Sequence, residues 1–108
     1  MAWILCNGKK EMKISKMSAT GAGGNSDHSY LHTWLDCTDY KKLTINGFSL
    51  PLTNRGYGIV RANGTNLATF EQSTTTPINV NVKNYNEVEI ILEMTGAGTV
   101  YVENVVLS

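Results

Sequence analysis

Apolar and polar residues alternate along most of the chain. Val88, Ile90, Leu92 and Met94 fall on one face at period two, and Glu87, Glu89 and Glu93 fall on the other. That is the signature of a strand with one dry and one wet face. After Thr95-Gly-Ala-Gly98 a second β-rich run, Thr99–Leu107, follows, and the glycine-rich break reads as a closing hairpin. The same alternation recurs upstream. Met12 and Ile14 are spaced by lysines. Tyr30, His32 and Trp34 share one face of a strand whose other face carries Leu31, Thr33 and Leu35. Leu43 and Ile45 are followed by Phe48 and Leu50, a change of phase at Gly47 that predicts a bulge or bend. Strands are expected at Tyr57–Ala62 and Leu67–Gln72 around an Asn63-Gly64 turn, and again at Ile78, Val80 and Val82.

With Trp3–Cys6 included, about eight to nine short strands result, the spacing of a sandwich or barrel. No segment has helical period. The expected fold is all-β: an antiparallel, jelly-roll-like β-sandwich, one domain over 1–108. Residues 18–29, with Gly21, Gly23 and Gly24, are small and polar and predict a flexible loop. Pro51–Gly56 predicts another. The first strand region is lysine-rich (Lys9, Lys10, Lys13, Lys16), whereas the last two carry Glu87, Glu89, Glu93 and Glu103. Opposite charges on neighbouring strands favour pairing, so the N-terminal strand is expected beside a C-terminal one.

Composition narrows the function classes. The chain of 108 residues has 42% hydrophobic residues, 17% charged residues and zero formal net charge. Without a basic field, neither nucleic acid nor a membrane is an expected partner. No apolar run approaches the ~18 residues that span a bilayer. Ala2–Cys6 is too short for a signal peptide, so cytoplasmic synthesis is expected. Low charge permits self-association, and a homo-oligomer is expected.

Chemistry-bearing motifs are sparse. Asp27, His28 and His32 lack the further ligands a zinc site needs, so no metal and no cofactor are expected. Cys6 and Cys37 have no redox or metal spacing and are expected to be reduced thiols. A Cys37–His32 catalytic pair is outweighed by a turn aspartate, Asp36, beside a packed thiol. The glutamates of the Glu87 strand read as a wet face rather than a glycosidase pair. Asn63-Gly64-Thr65 reads as a turn rather than a glycosylation acceptor. The chain is therefore read as not an enzyme.

Binding residues are the remaining candidates. Tyr30, His32 and Trp34 form an aromatic stripe suited to stacking on sugar rings, with Asn25, Asp27 and Asp36 nearby to bind hydroxyls. The competing reading places Trp34 in the core with Leu31 and Leu35 facing out. Arg55 and Tyr57, in Asn54-Arg-Gly-Tyr57, are a second candidate and suit a protein interface equally.

The runs Cys37-Thr-Asp-Tyr-Lys-Lys-Leu-Thr-Ile-Asn-Gly-Phe48, Gly58-Ile-Val-Arg-Ala-Asn-Gly-Thr-Asn-Leu67, Thr76-Pro-Ile-Asn-Val80 and Tyr85-Asn-Glu-Val-Glu-Ile-Ile-Leu92 share a cadence. Over about 37–107 it resembles the small jelly-roll, galactose-binding-like sandwiches of tailed-phage tail, baseplate and head-decoration proteins. The resemblance implies a tyrosine-bearing strand leading to an Asn-Gly hairpin, assembly with other virion proteins, location in a virion, and in some members binding of host surface sugars. It supplies no catalytic or ligand residues. The leading expectation is thus a non-enzymatic virion component acting through protein contacts, Trp3–Cys6 being a candidate pairing edge. The alternative is a carbohydrate-binding module recognising a surface glycan by aromatic stacking.

Overall fold

The computed structural model describes residues 12–21, 28–51 and 55–108. These form eight strands: β1 (Met12–Gly21), β2 (His28–Asp36), β3 (Lys42–Ser49), β4 (Arg55–Ala62), β5 (Thr65–Phe70), β6 (Ile78–Asn81), β7 (Glu87–Thr95) and β8 (Gly98–Leu107). One sheet has the order β1-β8-β3-β6, the other β2-β7-β4-β5. Every pairing within them is antiparallel. This is a jelly-roll β-sandwich. Trp3–Cys6 lies outside the described residues, as do Cys6, Asn25 and Asp27.

The dry faces close on one another. Leu35, Leu43, Ile45, Val60, Ile90, Leu92 and Val102 are fully buried in one continuous core. Phe48 of one sheet meets Phe70 of the other edge-to-face, with centroids 4.7 Å apart and planes at 77°, a favoured aromatic geometry. Gly58 makes this possible, because a Cβ there would lie 2.0 Å from the Phe70 ring.

The expected N-terminal to C-terminal pairing is present as β1 against β8, with Lys16 opposite Glu103. The Lys16 ammonium itself lies 4.1 Å from the centre of the Tyr101 ring. Asn63 and Gly64 join β4 to β5 with φ of 51° and 76°, the two positive values of a tight hairpin turn.

Several expectations require correction. Residues 18–21 do not begin a loop. They continue β1, with Ser18 and Thr20 outward and Ala19 and Gly21 buried against the other sheet. Small side chains permit that approach: a Cβ on Gly21 would lie 2.3 Å from the Gly96 carbonyl oxygen. Ser29 belongs to β2, and Arg55 and Gly56 open β4 rather than close a loop. β7 and β8 do not form a hairpin. Gly96 and Gly98, with φ of 106° and 120°, carry the chain from one sheet to the other. Nor is Asn46-Gly47 a hairpin turn, since it lies inside β3.

The change of phase expected near Gly47 does occur, and it crosses three strands. The core residues switch from Ile14, Val105 and Ile45 to Met17, Val102 and Phe48. The switch lies between the row Ile14–Val105–Ile45 and the row Lys16–Glu103–Gly47. Its left-handed residue is Asn104, φ 50°, whose carbonyl accepts a 2.7 Å hydrogen bond from Asn46 Nδ2. Asparagine tolerates this conformation and β-branched residues do not. Asn104→Val is expected to cost about 1–3 kcal/mol and Asn104→Gly far less, as read from thermal unfolding of the two variants.

Candidate functional site

The second sheet presents an outer face built in three cross-strand rows. Antiparallel register places Tyr30, Glu93 and Tyr57 in the first row, and His32, Ile91 and Ile59 in the second. The third row is Trp34, Glu89 and Arg61, extended by Asn66. A shift of register between Val60 and Arg61 brings Asn66 beside Arg61, and Arg61 Nε donates a 2.9 Å hydrogen bond to Asn66 Oδ1.

The stripe on β2 forms as its alternation predicts. Leu35 and Thr33 are buried, and Trp34 lies on the outer face. The reading that put Trp34 inside and Leu35 outside is therefore wrong. Tyr30 is 67% exposed, the only large hydrophobic residue so exposed among those described. Its ring stands edge-on to His32 at 5.7 Å, and His32 is 6.3 Å from Trp34. The three rings thus form a continuous column along one edge of the sheet.

Carboxylates stand beside that column. His32 Nδ1 lies 3.0 Å from Glu89 Oε2, and Nε2 lies 3.6 Å from Glu93 Oε1. The Tyr57 hydroxyl donates to Glu93 Oε2. That bond holds the phenol proton and raises the Tyr57 pKa above its ordinary value, with burial and the Glu93 charge acting in the same direction. Ile91 and Ile59 are nearly buried although they lie outside the main core cluster. They form an apolar floor shielded by the longer side chains of the flanking rows. Past the third row, a polar pocket of about 180 Å³ is lined by Trp34, Arg61, Asn63, Gly64, Glu87 and Glu89. Asp36, at this end of β2, accepts from the Thr38 amide at 3.0 Å and the Thr38 hydroxyl at 2.7 Å. These bonds hold its carboxyl below the usual range.

Tyr57 therefore joins the aromatic stripe through Glu93, and the two candidates drawn from separate stretches of sequence share one face. Arg55 sits in β4 opposite Thr95 and His28 in β2 opposite Thr95 on the other side; neither side chain is described. Glu89, Glu93, Arg61 and Asn66 were not singled out as binding residues. The glutamates showed in the alternation, but only cross-strand register reveals which rings they stand beside.

The Cys37–His32 pair does not form. His32 is on the outer face, whereas Cys37 is fully buried and its thiol donates to the Tyr85 carbonyl at 3.2 Å. Burial pushes the thiol up to about 11, with the Asp36 and Glu87 charges adding. A thiol so protonated is a poor nucleophile. Among the described residues, no group of three or more His, Cys, Asp or Glu is placed to hold a metal.

The raised thiol pKa has a pH consequence. Folded Cys37 keeps its proton while the unfolded thiol, titrating near 9.0, releases it. The contribution to stability is therefore complete below pH 9 and is lost as pH rises through about 11. In a Cys6→Ala background, the urea midpoint is expected to fall between about pH 8 and 10.5, and additional Cys37→Ala removes that part of the fall.

No family model matches the sequence, and no curated protein does. Several solved structures resemble the chain, and three are described. One is the CBM36-1 domain of a multidomain xylanase from the hindgut metagenome of Trinervitermes trinervoides. It has TM-score 0.39 and 14% identity, over 92% of this chain and 97% of that one. Another is a family 6 carbohydrate-binding module, with TM-score 0.41 and 18% identity, over 94% and 84%. The third is the carbohydrate-binding module CBM36 in complex with calcium and xylotriose, with TM-score 0.35 and 15% identity, over 94% and 91%. At these scores the likeness decides neither fold nor ligand. The jelly roll is established by the strand pairing itself. Nothing in these comparisons supports the expected virion role.

Proposed function

We propose that the protein is a carbohydrate-binding module and that the outer face of the β2-β7-β4-β5 sheet takes the glycan. The observation that carries this reading is the three-row ladder, in which an aromatic column (Tyr30, His32, Trp34) runs beside Glu93 and Glu89, with Tyr57 and Arg61 behind. Sugar rings have apolar C–H faces that stack on aromatic rings and hydroxyls that hydrogen-bond at their rims. Carboxylates accept such bonds strongly, and Arg61 can donate them.

The two carboxylates of the ladder argue against a protein partner on this face. Interface centres are depleted of charge, and a protein partner would strip Glu89 and Glu93 of the water that still reaches their 12% and 23% exposed side chains. A hydroxyl-rich ligand can instead replace the water those carboxylates lose. An open sheet face contacts only one side of a glycan, so affinity in the range of about 0.1–1 mM is expected.

The test is a glycan array followed by calorimetric titration of each hit. Saturable binding to a defined set of glycans is the expected result. No binding to any glycan at millimolar concentration would overturn the proposal.

A further inference from the structure

Resting on that reading of the face, we infer that the site selects uncharged glycans and rejects those bearing carboxylates or sulfates. Its charge is one-sided although the chain as a whole is neutral. On β2 and β7 the described outward groups include Asp36, Glu87, Glu89 and Glu93, four carboxylates. Arg61 is the one described guanidinium facing them. Among the described side chains of these strands that is an excess of three negative charges.

The positive groups on this face stand beside polar or acidic partners. Arg61 Nε is held by Asn66 at 2.9 Å, and its register partner is Glu89. His32 has a carboxylate oxygen near each ring nitrogen, at 3.0 and 3.6 Å. Asp36 stays ionised because the Thr38 amide and hydroxyl bind it. Most of the balancing lysines of the strands lie elsewhere: Lys13, Lys16 and Lys42 all belong to the opposite sheet, in β1 and β3.

The pocket beside Trp34 shows the same bias at closer range. Glu87 and Glu89 line it, and the other polar groups are Arg61, Asn63 and the Gly64 backbone. A sugar hydroxyl entering there can donate to either carboxylate. The ionised group of a uronate, sialate or sulfated sugar can only accept, and would bring like charges together at close range. The discrimination is electrostatic at a face open to solvent on one side, so it must weaken as salt shortens the Debye length from about 30 Å at 0.01 M to about 3 Å at 1 M.

The experiment uses the full chain on an array printed with matched neutral, uronate-bearing, sialylated and sulfated forms of the same core glycans. It is run at about 20 mM and about 500 mM salt. The expected result is binding to neutral forms at least tenfold tighter than to their charged counterparts at low salt, the gap narrowing at high salt. Glu87→Lys is expected to shrink the gap at low salt by favouring the charged forms. Equal or stronger binding of charged glycans by the natural sequence would overturn the charge inference and leave glycan binding standing. Binding to no glycan in any charge class would overturn the functional reading, and this inference with it.

Discussion

Replacing Phe48 with alanine is expected to destabilise the protein by about 3–5 kcal/mol. Phe48 is 2% exposed on β3, in the sheet opposite Phe70, and the two rings meet edge-to-face at 4.7 Å. Truncation removes the transfer energy of a buried ring, leaves a void between the sheets, and ends an aromatic contact worth about 0.5–1.5 kcal/mol. The void cannot readily collapse. Phe70 lies against Gly58, where even a methyl group would clash, so its ring is already fixed by backbone. Against a total stability of about 5–15 kcal/mol for a domain of this kind, the variant should be marginal near 37 °C. The check is urea denaturation of Phe48→Ala, Phe70→Ala and the double variant. Their coupling should be clearly non-additive, because both substitutions empty one site.

The second large effect concerns binding. Trp34→Ala is expected to weaken glycan affinity at least thirtyfold, about 2 kcal/mol, while the fold persists. Trp34 stands at the junction of the aromatic column and the polar pocket, in the row of Glu89 and Arg61. It lies on the outer face, so truncation opens no cavity in the main core, whose cluster does not contain it. Trp34→Phe keeps a stacking surface and should retain most of the affinity. Tyr30→Ala, at the exposed end of the column, should cost less. Circular dichroism and thermal unfolding separate a lost ligand contact from a lost fold. A Trp34→Ala protein that is folded and binds as before would remove the aromatic column from the account.

What could be read from sequence follows the range of the interaction concerned. The strands with one wet and one dry face were legible because period two is local, as in Tyr30–Leu35 and Glu87–Met94. The β4–β5 hairpin was legible because Asn63-Gly64 carries its two positive φ angles in adjacent residues. The β7–β8 connection misled for the opposite reason. Gly96 and Gly98 mark a sharp change of direction, but the choice between a hairpin and a crossing depends on distant partners. β8 pairs with β1 and β3, and β7 with β2 and β4.

The strand character of residues 18–21 was hidden because serine and glycine carry loop propensity and alanine has little strand propensity. Their value here is small size, which lets Gly21 pass close to Gly96. The phase change at Gly47 was visible on β3, but its left-handed residue, Asn104, lies on the neighbouring strand. The site behaves in the same way. Tyr30, His32 and Trp34 could be seen as a stripe, and Tyr57 as an isolated aromatic. That Glu93 joins them is a fact of register, between residues 93, 30 and 57 on three strands.

The most direct test of the central claim is a chemical-shift titration of the isotope-labelled full chain with the best glycan from the array. The account predicts perturbations concentrated at Tyr30, His32, Trp34, Tyr57, Arg61, Glu89 and Glu93, with the indole signal of Trp34 among the largest. Saturable perturbations confined to the outer face of the β1-β8-β3-β6 sheet, or to residues outside this ladder, would contradict it.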